Sequence, residues 1–177
     1  MKRTSGHRTL RPLDEAALNE LALRYVGRFA TTRAKLRAYL ARKVRERGWE
    51  GARDPDLTGI AGQFSDKGYV DDRAYALSKS RSLSDRGYGK RRVLETLRAA
   101  GIDEGDCAAA NEHADEEAVS AAIRFAKRRK IGPFGTLPMH DPKERDKALS
   151  GMIRAGHSFE LARKILSLKP GEDPNLG

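Results

Sequence analysis

The chain has 177 residues, of which 38% are hydrophobic, and carries 35 Lys and Arg against 25 Asp and Glu, a formal net charge of +10. One cysteine, Cys107, excludes an internal disulfide and a multi-thiolate metal site. No run of about 18 apolar residues occurs, so no membrane span is expected, and the basic start MKRTSGHRTLRPLDE leads into no apolar segment of signal-peptide length, which points to a cytoplasmic protein.

After a basic N-terminal tail (1–13), Leu18, Leu21, Ala22 and Tyr25 follow helical spacing, as do Leu36, Tyr39 and Leu40, then Leu57, Ile60, Ala61 and Phe64. The third of these helices has Asp54 as its expected N-cap and Pro55 at its first helical position. YVDDRAYALSKSRSLSDRG predicts a helix opened by Asp71 and Asp72 and stopped at Gly87. RGYGKRRVLETLRAAGI predicts the next, from Gly89 to Gly101, with Val93, Leu94 and Leu97 on its apolar side. IDEGDCAAANEH reads as a short helix, and DEEAVSAAIRFAKRRK as one with acids first and cations last. The Pro- and Gly-rich stretch 131–142, IGPFGTLPMHDP, requires a loop. PKERDKALSGMIRAG and SFELARKILSL supply two more helices before a C-terminal tail (169–177).

Strand alternation is almost absent, so the predicted class is all-α. TRAKLRAYL (32–40) superposes on GKRRVLETL (89–97) at a shift of 57 residues, and SFELARKIL (158–166) joins them at a further 69. The aligned first residues, Thr32, Gly89 and Ser158, are all acceptable N-caps. In the middle copy Tyr88 and Val93 have the spacing of a hydrophobic staple. The parse is three tandem three-helix repeats, 14–67, 68–113 and 114–168, the last holding the 131–142 insert. Units stacked in series predict an elongated, curved array with a long contact face.

Site chemistry is sparse. His7, His113, His140 and His157 never pair at metal-ligand spacing, so no metal is expected. The GYG of Gly87, Tyr88 and Gly89 lacks the spacing of a phosphate loop. Cys107 follows Asp103, Glu104 and Asp106, which raise rather than lower a thiol pKa, and no serine sits in a G-x-S-x-G frame. Tyr75, Tyr88 and Phe64 read as core. No enzyme activity, cofactor or small-molecule substrate is expected.

The cations carry the remaining signal. From Arg24 to Arg47 nine positive side chains face one acid, Glu46. Lys90, Arg91 and Arg92 occupy a helix first turn, where the macrodipole disfavours positive charge by up to about 1 kcal/mol at each site. A one-sided basic surface repeated at aligned positions suits a long anionic track, either a phosphate backbone or an acidic groove on a polymeric protein.

The block Lys67–Ile102 resembles the RecX family of bacterial recombination regulators. Gly68, Tyr69, Val70, Asp71 and Asp72 match its G-[YF]-[LIV]-[DN]-D segment. Arg86, Gly87, Tyr88 and Gly89 stand at the place of its R-x-G-x-G turn, with Arg directly before the first Gly, and Arg92, Val93, Leu97, Gly101 and Ile102 match its basic helix ending in GI. DPKERDKALSGMIRAGHSFELARKIL is similar to the family's last repeat, and TTRAKLRAYLARK to its first, with RAKL where RAEL is usual. The resemblance implies a non-enzymatic inhibitor of the RecA recombinase. It would bind the groove of RecA filaments on single-stranded DNA and suppress ATPase, strand exchange and stimulated LexA cleavage. Arg33, Lys35, Arg37, Lys90, Arg91, Arg92 and Arg98 are then the expected contacts to the filament or its DNA, with Asp71 and Asp72 as helix caps. Rival readings are a stand-alone DNA-binding module of helix-turn-helix-like units, with weak direct DNA binding as an intermediate case, and a generic helical adaptor.

Overall fold

The computed structural model describes residues 11–138 and 141–174. His7, Met139, His140 and the outer parts of both tails lie outside these residues. Among the described residues there are nine α-helices: α1 (Glu15–Val26), α2 (Arg33–Arg47), α3 (Leu57–Asp66), α4 (Asp72–Asp85), α5 (Lys90–Ala99), α6 (Ala108–Glu116), α7 (Ala118–Arg129), α8 (Pro142–Arg154) and α9 (Phe159–Ser167). Extended pairing there is limited to one bridge, in which Leu13 N donates to Gly48 O and Glu50 N donates to Leu13 O, each at 2.9 Å. The chain is all-α.

Apolar residues at helical spacing collect into three clusters, each enclosed by three consecutive helices. Leu18, Ala22, Leu36, Leu40, Ile60 and Phe64 bring together α1, α2 and α3. Ala76, Leu83, Val93, Leu97, Ala110 and Ala114 join α4, α5 and α6. Ala122, Phe125, Met152, Ala162, Ile165 and Leu166 join α7, α8 and α9. By internal packing the chain divides into two compact units, one ending at Asp71 and one beginning at Asp72. The second therefore holds two of the clusters, and Tyr88 packs against both. Burial at about 25 cal/mol per Å² of apolar area is what makes these helices stable, since most are shorter than isolated helices need to be.

Local signals place most boundaries. Thr32 Oγ1 accepts from Lys35 N at 3.1 Å and Ser158 Oγ from Leu161 N at 3.2 Å, while Gly89 caps α5 without a side-chain bond. Three expectations change. The cap of α3 is Asp56, whose carboxylate accepts from Gly59 N at 2.8 Å, so Pro55 lies before the helix and Asp54 has no capping role. Asp115 and Glu116 belong to the end of α6, because the chain passes into α7 through Glu117 alone, without a loop. Finally, the insert is not all loop: Gly132–Phe134 forms a 3-10 turn with Gly132 and Pro133 buried, and Phe134 packs on the third cluster. Pro133 O also accepts from Gly171 N at 2.9 Å.

Candidate partner-binding surfaces

In the first unit seven of the nine cations of the basic run lie on α2, with Arg24 on α1 and Arg28 between the two helices. Part of its charge is already answered. Arg42 and Lys43 share Glu46, at 2.9 and 2.7 Å, and Arg24 pairs with Glu20 one turn away. The hydrogen bond from Lys43, with the nearby positive charge of both cations, holds the Glu46 carboxyl below its ordinary range. Arg47 donates twice to Arg11 O, at 3.1 and 2.8 Å, fastening the start of the described chain to α2. Arg37 and Arg45, both exposed, make no hydrogen bond or ion pair among the described residues. Eight residues apart, they stand about 12 Å apart along the helix axis and about 80° apart around it, and Arg33 lies one turn before Arg37.

In the second unit the basic first turn of α5 faces the C-terminal end of α8. Gly89 N donates to Ala155 O at 2.9 Å and Arg91 N to Gly156 O at 3.2 Å, and the Arg91 guanidinium donates to Ile153 O. The positive end of one helix thus meets the carbonyl-rich, negative end of another, which offsets the cost of placing cations there. Lys90 Nζ sits 2.6 Å from Asp115 Oδ2, while Arg91 and Arg92 stand 3.6 and 3.7 Å from Glu95. Such exposed pairs contribute at most about 1 kcal/mol. Lys90 and Arg91 are therefore ties within the unit, whereas Arg98 is exposed on α5 and makes no such bond among the described residues. The seven predicted cations fall three in the first unit and four in the second.

The G-x-G turn is the other half of this seam. Gly87 follows α4 with φ +77°, and Tyr88 N closes the helix end by donating to Leu83 O at 3.0 Å. A Cβ on Gly89 would lie 2.4 Å from Gly156 C, and one on Gly156 would lie 2.4 Å from Arg92 N, so the α4–α5 and α8–α9 loops touch backbone to backbone. His157 Nε2 donates to Gly87 O at 3.1 Å, which leaves Nδ1 as the unprotonated nitrogen, buried and with no hydrogen-bond partner. Burial pushes the His157 pKa down, against the opposing effect of that bond.

Of the remaining motif residues, Asp72 opens α4 and is 5% exposed, directly after Asp71. Tyr69 is 56% exposed, with its ring 5.6 Å from that of Phe64. Cys107 is buried, and burial together with Asp106, Glu104 and Asp103 raises its thiol pKa, so a reactive thiolate is disfavoured. Among the described residues no group of three His, Cys, Asp or Glu is placed to hold a metal, and no helix is long and apolar enough to cross a membrane. Sequence reasoning passed over a second set of cations, Arg128, Arg129, Lys130, Lys147 and Arg154. The sequence signal was the KRRK run of 127–130 immediately before the insert, which also fits a simple helix C-terminus.

Helical units with basic, solvent-facing helix surfaces define an all-α protein among the described residues. Residues 71–110 match the family model for the second three-helix domain of RecX. The chain is 28% identical over 179 residues to the regulatory protein RecX of Myxococcus xanthus, covering 96% of this chain and 94% of that protein. It is 30% identical over 133 residues to RecX of Pseudomonas entomophila, covering 74% and 80%. The crystal structure of RecX from Lactobacillus salivarius superposes with a TM-score of 0.59 at 19% identity, over 85% of this chain and 92% of that one. This chain belongs to the RecX family of regulatory proteins.

Proposed function

We propose that the protein binds RecA filaments on single-stranded DNA and restrains their ATPase, strand exchange and LexA-directed activities. Kinship with RecX over nearly the whole chain carries this reading. The basic surface of α2 supports it, because Arg37 and Arg45 are exposed cations without an ion pair among the described residues and suit carboxylates or phosphates in a filament groove. Arg33, Lys35, Arg92 and Arg98 stay among the proposed contacts. Arg91 is assigned to the α5–α8 seam and Lys90 to its pair with Asp115 at the end of α6 instead, so replacing all of 90–92 by Ala would confound folding with binding.

The stand-alone DNA-binding reading is weaker. A recognition helix uses its N-terminal residues to reach base edges. In α5 that turn is occupied by the α8 carbonyls and by the Lys90–Asp115 pair.

The test is RecA ATPase on poly-dT titrated with this protein. Wild type should inhibit, and Arg37→Glu with Arg45→Glu should require about tenfold more protein, roughly 1.4 kcal/mol of binding. Absence of inhibition by wild type refutes the proposal, and an unchanged double variant refutes the α2 assignment. Binding to bare poly-dT as tight as to RecA-coated poly-dT at both about 0.05 and about 0.2 M salt would favour the DNA-binding module instead.

A further inference from the structure

The second unit contains a groove of about 960 Å³ between the C-terminal turn of α7, the insert through Pro138, and α8, with Tyr88 and Arg92 also in its lining. Six cations converge on it from three elements: Arg92 from α5, Arg128, Arg129 and Lys130 from α7 and its cap, Lys147 and Arg154 from α8. Among the described residues Glu144 is the one carboxylate in its lining. Favourable interaction with the α7 dipole accounts for one or two cations at that helix end, but not for Arg92 and Lys147, which come from elsewhere. Lys130 sits in the left-handed region at φ 54°, where Gly or Asn is the easier residue, and this adds a third consecutive cation at the rim.

The floor is apolar and largely aliphatic. Ile131 and Ala148 are half-buried, and Leu137 is 76% exposed at the edge. The aromatic rings are not open as stacking platforms. Arg128 and Arg129 lie 5.6 and 5.8 Å from the Phe125 centroid, and Arg86 lies 5.4 Å from that of Tyr88. A single-stranded nucleic acid draws its affinity from aromatic faces as well as from charge. A ring of cations around an aliphatic floor fits a different ligand, one with carboxylates flanking a large apolar side chain.

We propose that this groove binds an acidic peptide segment of a partner protein, with one large apolar side chain seated against Ile131, Leu137 and Ala148 and its carboxylates met by the surrounding cations. The groove has this chemistry whichever protein presents the segment, and the test needs no RecA. The probe is a fluorescein-labelled decapeptide of Asp and Glu with one central Phe, followed by fluorescence anisotropy at about 0.15 M salt. Wild-type protein should bind it. Lys147→Glu and Leu137→Asp, both at exposed positions, should each weaken binding by about tenfold, while Arg45→Glu on α2 should not. The same peptide with Ser in place of Phe should bind about tenfold more weakly. Failure of wild type to bind the Phe peptide overturns the proposal. So does equal binding by the groove variants, equal binding of the Ser peptide, or tighter binding of a dT decanucleotide that displaces the Phe peptide.

Discussion

Replacing Gly89 by Ala tests whether the seam between the α4–α5 and α8–α9 loops holds the second unit together. The added Cβ would stand 2.4 Å from Gly156 C and O and 2.6 Å from His157 N. Ordinary contact begins near about 3.4 Å, so the overlap is about 1 Å, and it is with backbone on both sides, which no rotamer change relieves. Parting the loops by that amount breaks the bonds from Gly89 N to Ala155 O and from Arg91 N to Gly156 O and stretches that from His157 to Gly87 O. At about 1 kcal/mol for each bond, with some loss of Tyr88 packing, the expected destabilisation is roughly 2–4 kcal/mol. Two glycines serve as controls. Gly105 has nothing within 4 Å and no positive φ, so its Ala variant should lie within about 0.5 kcal/mol of wild type. Gly68 is equally open but has φ +75°, so Ala there should cost about 1 kcal/mol from backbone strain alone. Urea unfolding followed by far-ultraviolet circular dichroism gives all three midpoints. If the Gly89→Ala midpoint matches that of Gly105→Ala, the seam has no structural role and the account of the G-x-G turn is wrong.

A helix cap and a buried histidine give two further tests. Asp56→Ala should destabilise the protein by about 1 kcal/mol through loss of the α3 cap, whereas Asp54→Ala should leave the urea midpoint unchanged; the reverse order would restore Asp54 as the cap. His157 has its folded-state pKa below its ordinary value, so between that lowered pKa and about 6.5 the unfolded chain binds the extra proton and the folded one does not. Stability due to His157 is therefore complete above about pH 6.5 and declines as the pH falls through this window. The difference in urea midpoint between about pH 7.5 and about pH 5.5 should shrink in His157→Asn, and an unchanged difference would remove His157 as a cause of acid sensitivity.

Helix identity, apolar faces and most ends of the helices were legible in the sequence, because they depend on residues within one or two turns of each other. Leu36 and Leu40 face a core because they are four apart, and Thr32 and Ser158 cap because their hydroxyls reach a backbone N–H three residues on. The α3 cap was misplaced because Asp54 and Asp56 both satisfy the local pattern, and only the path of the chain chooses between them. The basic surface of α2 was also visible, as seven cations against one acid. Its paired members were partly so, since Glu46 lies three and four residues from Lys43 and Arg42.

What the α5 cations face was decided by tertiary structure alone. Lys90 meets Asp115 across 25 residues, Arg91 meets Ile153 across 62, and His157 meets Gly87 across 70. A helix first turn rich in Lys and Arg looks the same in sequence whether it points at a partner or at the carbonyl end of another helix. Only packing in three dimensions determines which groups share the low-dielectric space beside a charge, and with it whether that charge is used inside the molecule or left for something outside.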